Sequence, residues 1–286
     1  MDKTQIFSSQ EKVWMILLNR IMFETIQSVQ NNRIKHLVRL RDGSHRRRQQ
    51  RFLIEGLREV KRALASQWPM ETLYFCEELF KDEHAYEILD LFDKGGLEII
   101  KLTEDPFRKC AYRQGPDGLL AVGMQKERSL ESLSLSEIPL LVVMEGIEKP
   151  GNLGAIFRTA NAAGADAIIL TECTTDPYNP NVIRASQGAF FELPFFSTTN
   201  SDLKEYLTSN GLQPIATSPE GKELLYSANM RGPTALILGT EDDGLSEDWL
   251  KELTAYRIPM KGITDSLNVA STAAICLFEA IRQRQD

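Results

Sequence analysis

Lys149-Pro-Gly-Asn-Leu-Gly-Ala-Ile-Phe-Arg-Thr-Ala160, Leu236-Ile-Leu-Gly-Thr-Glu-Asp-Asp-Gly-Leu245, and Ile258-Pro-Met260 followed by Ser266-Leu-Asn-Val-Ala270 share one pattern. In each, a short apolar run reads as a strand end, passes through a glycine-rich or polar turn, and enters a helical pattern. Open α/β sheets place their ligands at such strand ends. Around them, apolar runs at residues 140–144, 167–170, 214–217, 235–238 and 257–260 alternate with helical patterns. Continuous apolar runs bounded by turns predict parallel strands covered on both faces.

The turns carry specific groups. Pro150-Gly151 predicts a turn, with Asn152 as N-cap of a helix running to about Ala163 and stopped by Gly164. Leu153, Ile156, Phe157 and Ala160 form its inward face. Arg158 projects elsewhere, one turn beyond Gly154, whose missing side chain is expected to leave the surface open there. A cation so placed can clamp a phosphate or a developing oxyanion, or simply make a surface ion pair. Gly239 and Gly244 permit a tight backbone path near a ligand. Glu241-Asp-Asp243 opposes phosphate binding there and suits a cationic ligand or an ion pair with Arg158; Asp242-Asp-Gly is also ordinary turn chemistry, which leaves Glu241 as the specific candidate. In the third stretch Ile258 and Met260 are expected on a short strand. Asp265 or Ser266 is expected to cap a last helix from about Leu267 to Arg284, with Val269, Ala273, Cys276, Leu277 and Ala280 as its apolar stripe. Ser266 and Asn268 offer a hydroxyl and an amide at its start.

Residues 31–126 read as a smaller α/β domain. A basic helix ends near His45, a strand covers residues 52–56, and a helix covers 57–65. Strands at 73–76, 97–101 and 119–124 flank a helix at 84–94. Residues 127–137, rich in Ser and Glu, read as a linker, and the second domain runs from 138 to 286. Residues 1–30 read as an appended helix, with a capping box at Ser8-Ser-Gln-Glu11 and Trp14, Leu18, Ile21, Met22, Ile26 and Val29 near helical spacing.

The 286 residues carry a net charge of −7, but residues 33–62 hold eleven Lys/Arg against three acids, a local +8 that leaves −15 elsewhere. This asymmetry points to a basic contact surface on an acidic body, with Arg46-Arg-Arg48 and Arg51 as the densest phosphate-binding candidates. A solvated helix face without a partner is the competing reading. Cys76, Cys110, Cys173 and Cys276 form no CxxC pair and, with His36, His45 and His84, no zinc-ligand spacing, so reduced thiols and no metal are expected. No apolar run approaches a membrane span, and neither a secretory nor a transit signal fits, which predicts a cytoplasmic protein without membrane contact. No GxGxxG or phosphate loop is present, which disfavours a dinucleotide or nucleoside-triphosphate enzyme.

Taken together, Asn152, the Gly154–Arg158 spacing, Gly239-x-Glu241-x-x-Gly244 and Ser266-Leu-Asn268 resemble the SpoU/TrmH family of RNA ribose 2′-O-methyltransferases. The resemblance extends through Arg184-Ala-Ser-Gln-Gly188 and Leu193-Pro194. Thr240 and Asp242 depart from the residues more usual in that loop. Residues 31–126, with Phe52-Leu-Ile-Glu-Gly56, resemble an L30e/L7Ae-like substrate-binding domain. The resemblance implies a SPOUT-type parallel sheet with a trefoil knot, preceded by a small L30e-like α/β domain and an N-terminal helix. It implies a homodimer with the active site near its interface, and S-adenosylmethionine as methyl donor. Gly239, Ile258 and Leu267, with Thr217, Leu238 and Met260, are implied donor contacts. It further implies that Arg158 engages the target hydroxyl or its phosphate, with Asn152, Glu241, Ser266 and Asn268 positioning it. The implied substrate is 23S-type ribosomal RNA. A tRNA substrate, or a non-catalytic RNA-binding assembly protein on the same fold, are the alternatives.

Overall fold

The computed structural model describes residues 23–240 and 242–285, and divides into two compact units with the boundary between Gln125 and Lys126. In chain order the first unit comprises β1 (Glu24–Ile26), α1 (Asn32–Arg39), α2 (Gly43–Gln49), β2 (Arg51–Glu55), α3 (Leu57–Ala65), β3 (Met70–Phe75), α4 (His84–Lys94), β4 (Glu98–Leu102), α5 (Glu104–Cys110) and β5 (Leu119–Met124). The sheet order is β1-β4-β3-β5-β2, with β5 antiparallel to both neighbours and the other pairs parallel. Its core is apolar: Ile34 and Leu37 of α1, Leu53, Ile100, Leu120 and Phe107 are all buried.

Two readings of this unit are corrected. The basic helix does not end near His45. Asp42 accepts a hydrogen bond from the His45 amide and starts a second helix, so the segment is two short helices. Within the proposed N-terminal helix, Glu24–Ile26 is an edge strand paired with β4, and Ile26 is buried by that pairing. A stretch this short satisfies helical spacing and strand alternation equally well. Residues 1–22 of that extension lie outside the described residues.

The second unit comprises β6 (Leu140–Glu145), α6 (Pro150–Ala162), β7 (Ala167–Thr171), α7 (Pro180–Ser186), β8 (Phe195–Thr198), α8 (Asn200–Ser209), β9 (Gln213–Thr217), β10 (Glu223–Leu224), β11 (Thr234–Leu238), α9 (Glu247–Leu250), β12 (Ala255–Arg257) and α10 (Val269–Gln285). Its sheet has the order β10-β12-β9-β11-β6-β7-β8, every pair parallel. The central strands β6, β7 and β11 are buried at every position, as continuous apolar runs require. Leu141 and Val143 of β6 join Leu203, Leu207 and Trp249 in one core cluster. Alternation along β6 sends its intervening residues to the opposite face. Leu153, Ile156, Phe157 and Ala160 of α6 and the stripe Val269, Ala273, Cys276, Leu277 and Ala280 of α10 are buried, and α6 packs on α10.

Residues 127–137 are not a free linker. Leu130 is buried in the second unit's core, Leu133 and Leu135 pack against it, and the Ser136 amide donates to Asp166 Oδ1 at 2.8 Å. Three leucines outweigh the Ser/Glu composition around them. Ile258 and Met260 are not in a strand: β12 ends at Arg257, because Pro259 cannot donate to the ladder. Among the described residues no disulfide forms. Burial pushes the Cys76, Cys110 and Cys276 thiols up to about 12. No helix of the described residues is long and apolar enough to cross a membrane.

Candidate active site

The backbone determines the site before any side chain does. A cavity of about 690 Å³ opens beyond the carboxyl ends of three neighbouring strands, β12, β9 and β11. Its walls are the turn after β9 (Thr217–Glu220), the turn after β11 (Leu238–Thr240 and Asp242–Leu245), and the segment from β12 into α10 (Ile258, Met260, Asp265–Leu267, Val269). All six residues implied as donor contacts line it: Gly239, Ile258, Leu267, Thr217, Leu238 and Met260. Ser266 lines it too.

The turn after β11 folds back on itself. The Thr240 amide donates to the Gly244 carbonyl at 2.9 Å, and the Asp243 amide donates to Thr240 Oγ1 at 2.9 Å. Gly244 adopts φ +71°, and a Cβ added at Gly239 would sit 2.1 Å from the Gly244 carbonyl carbon. The loop therefore requires glycine at both ends. Glu241 lies outside the described residues.

The first motif meets this loop from the other side. Lys149, not Asn152, occupies the N-cap of α6, with Pro150 in the first helical turn. Asn152 falls inside that turn, so its side chain can reach outward: its Oδ1 accepts from Asn268 Nδ2 at 3.2 Å. Asn268, rather than Asp265 or Ser266, caps α10, its Oδ1 accepting from the Ala270 amide at 3.0 Å. Helix α10 consequently starts at Val269. Asn152 also lines a small pocket of about 40 Å³ that shares Gly239, Thr240, Asp242, Asp243 and Val269 with the main cavity. Asn152, Ser266, Asn268 and the loop glycines thus form one constellation.

Arg158 stands apart from it. Six residues beyond Asn152 on α6, it is about 9 Å further along the axis and about 120° away around it. It is exposed and lines neither cavity, and among the described residues no hydrogen bond or ion pair engages its guanidinium. Gly154 does not leave an open surface. It is buried, and an added Cβ would meet Ala185 Cβ and the Val182 carbonyl at 2.5 Å, so it permits the close approach of α6 to α7.

In the first unit the basic residues divide. Arg46 is 1% exposed, and its guanidinium donates to the Leu40 and Arg41 carbonyls at 2.9 and 2.7 Å. It closes the turn between α1 and α2, which removes it from the phosphate-binding set. Arg51 pairs with Glu71 and donates to the Gln50 carbonyl, while Arg48 contacts His45 Nδ1 at 2.8 Å. Arg47 and Arg48 remain exposed. A second cavity, of about 660 Å³, is lined by Arg58, Lys61 and Arg62 of α3 with Lys81 and Arg113. Its buried Glu59 is held by Arg58 and Arg113 at 3.0 and 2.9 Å. The guanidinium of Arg62, half-buried in its wall, makes no hydrogen bond or ion pair among the described residues.

Sequence reasoning missed Ser218, Glu220, Tyr256 and Thr272 of the main cavity. The Ser218-Pro-Glu-Gly221 turn after a strand was the available signal for the first two. The other two carry none.

The main cavity suits S-adenosylmethionine. Its volume lies in the range of roughly 300–1,000 Å³ common to cofactor sites. The Gly239–Gly244 cradle lets a ligand approach backbone, and Leu238, Leu245, Ile258, Met260 and Leu267 offer apolar walls for an adenine. Glu220, Asp242 and Asp243 supply negative charge for a sulfonium and an ammonium group.

Known proteins carry the same two parts. Residues 139–278 match the SpoU rRNA Methylase family, and residues 31–121 match an MRM3-like substrate binding domain. The chain is 33% identical over 225 residues to the 23S rRNA (guanosine-2′-O-)-methyltransferase RlmB of Ralstonia nicotianae, covering 75% of this chain and 88% of that protein. A solved RNA 2′-O ribose methyltransferase superposes with TM-score 0.81 at 39% identity, over 92% of this chain and 100% of the other. The AdoMet-bound rRNA methyltransferase from Sinorhizobium meliloti superposes with TM-score 0.83 at 30% identity, over 91% and 98%. With two of its motif turns lining one cavity, the first meeting them through the Asn152–Asn268 bond, and this likeness running through both units, the chain belongs to the SpoU rRNA methylase family.

Proposed function

We propose that this chain transfers the methyl group of S-adenosylmethionine to a ribose 2′-hydroxyl of 23S-type ribosomal RNA. The convergence of three strand-end turns on one glycine-floored, acid-rimmed cavity carries the reading. When bound there, S-adenosylmethionine supplies an electrophilic sulfonium methyl. Gly239, Leu238 and Thr217 with Ile258, Met260 and Leu267 hold and orient it. Asn152, Ser266, Asn268 and Glu241 position the ribose at the cavity rim, and the Asn152–Asn268 bond fixes the start of α10 against the start of α6. Arg158 lies outside this constellation within one chain, so its role is exercised across the proposed dimer, where it stabilises the developing negative charge or clamps the adjacent phosphate; a guanidinium with a pKa above about 12 is a poor general base.

The same reading includes a trefoil knot, a homodimer and a cytoplasmic setting. After β11 the chain recrosses β9 to form β12 on its far side, then returns to pack α10 on α6, a path that supports the knot. Phe278, 52% exposed on α10, supports a subunit contact. In the first unit, Arg47 and Arg48 and the cations ringing the second cavity are the RNA surface.

The test incubates purified protein and radiolabelled methyl donor with separate pools of unmodified rRNA and tRNA. Label entering rRNA in an alkali-resistant linkage is the expected result. Label entering only tRNA overturns the substrate, and none in either, with donor binding intact, favours a non-catalytic RNA-binding protein. Arg158→Ala is expected to lower transfer by about 100-fold or more while leaving calorimetric donor affinity unchanged. Equal loss of both in a folded protein would remove Arg158 from the substrate side.

A further inference from the structure

The loop that floors the cavity is anchored from behind by a buried carboxylate outside all three motif turns. Glu145, the last residue of β6, is 4% exposed. Its Oε2 accepts from the Ser246 amide at 2.8 Å, and its Oε1 accepts from Ser246 Oγ at 2.7 Å and Asn200 Nδ2 at 2.6 Å. Asn200, 9% exposed, turns its Oδ1 to Trp249 Nε1 at 3.3 Å, and Trp249 is 1% exposed in the core.

This geometry constrains the loop at its free end. Residues 239–245 leave β11 at a fixed point and close on themselves through Thr240 and Gly244, but neither contact fixes where the closed loop points. Ser246, the next residue, is tied through Glu145 to a strand 101 positions earlier in the chain. The three donors converge on its two oxygens, a pattern that a carboxylate, accepting at both, satisfies. A glutamine would turn an N–H₂ toward one of those donors and leave a buried donor unpaired.

We infer that Glu145 is a positioning residue for methyl-donor binding: through Ser246 it sets the orientation of the Gly239–Leu245 loop, without lining the cavity itself. The inference rests on the donor-site reading above. If the wild-type protein binds no S-adenosylmethionine by calorimetry, that reading fails. The role of Glu145 in holding the loop is then still read from amide hydrogen exchange of residues 239–246 without donor.

The experiment compares wild type with Glu145→Gln, Ser246→Ala and Ser246→Thr. Glu145→Gln is expected to weaken donor affinity by about tenfold or more and to speed exchange across residues 239–246. KM for donor should rise while RNA affinity by filter binding stays within twofold, roughly. Ser246→Ala should give a smaller effect of the same sign, and Ser246→Thr, which keeps the hydroxyl, should restore near-wild-type affinity. Unchanged donor affinity and exchange in folded Glu145→Gln would overturn the proposal. Should that variant not fold, Ser246→Ala decides: faster exchange and weaker donor binding support it, and neither change overturns it.

Discussion

The basic segment of residues 33–62 and the turn after β11 were both singled out by composition, yet they fared differently in three dimensions. The turn's glycines lie at the cavity floor, whereas part of the basic charge is engaged by the protein's own carbonyls and carboxylates. Arg46 closes a turn between helices, Arg51 pairs with Glu71, and Arg33 donates to Glu98 at 2.8 and 2.9 Å. The difference is physical. A guanidinium on a flexible stem can satisfy carbonyls or carboxylates as readily as phosphate. A glycine between a strand end and a self-closing loop has far fewer alternatives. Backbone requirements therefore locate a site more sharply than charge density does.

The largest effect should come from Gly239→Val, because the added Cβ meets backbone and not a side chain that could move. Donor affinity by calorimetry is expected to fall by about 100-fold or more, with the sheet intact by circular dichroism. Normal donor binding by this variant would break the comparison at its stronger end.

The weaker end is tested by splitting the arginine cluster. Arg46→Ala leaves the Leu40 and Arg41 carbonyls without their partner, so about 1–3 kcal/mol of stability should be lost in denaturant unfolding. The salt dependence of RNA binding should not change. Arg47→Glu with Arg48→Glu, or Lys61→Glu with Arg62→Glu, should do the reverse. Unfolding should change little, and the salt slope should become shallower by about 1 for each phosphate no longer neutralised. A slope altered only by Arg46→Ala would return that residue to the RNA surface.

What could be read in advance follows the same division. Helix α4 and strand β5 coincide with their predicted limits, because glycines or a clear apolar change bound them. The parallel strands were legible as continuous apolar runs. Local alternatives hid the rest: Asp42 caps a helix inside what reads as one, Pro259 ends a strand early, and Asn152 is displaced from the cap by Lys149. Two other contacts depend on distant partners. Gly154 is buried against α7, and Glu145 meets Ser246 across more than a third of the chain. Neither spacing nor residue type announces such pairs.

The smallest expected effect concerns the two histidines of the basic segment. The rings of His36 and His45 meet edge to face with centroids 5.5 Å apart. Both are held below the ordinary imidazole value. For His36 the causes are burial, then His45, with Arg39 and Arg51 adding and Glu71 opposing; for His45 they are burial, then Arg48 and Arg39, with Asp42 opposing. A lowered folded pKa means the unfolded chain binds more protons as pH falls. The pair's contribution is therefore complete above the unfolded value of about 6.5 and is lost as pH drops below it. Melting temperature measured from pH 7.5 down to 5.5 should fall more steeply in wild type than in His36→Gln with His45→Gln. Parallel profiles would mean the segment accommodates protonated rings as an open, solvated surface does, and would weaken the argument that much of its charge is structural.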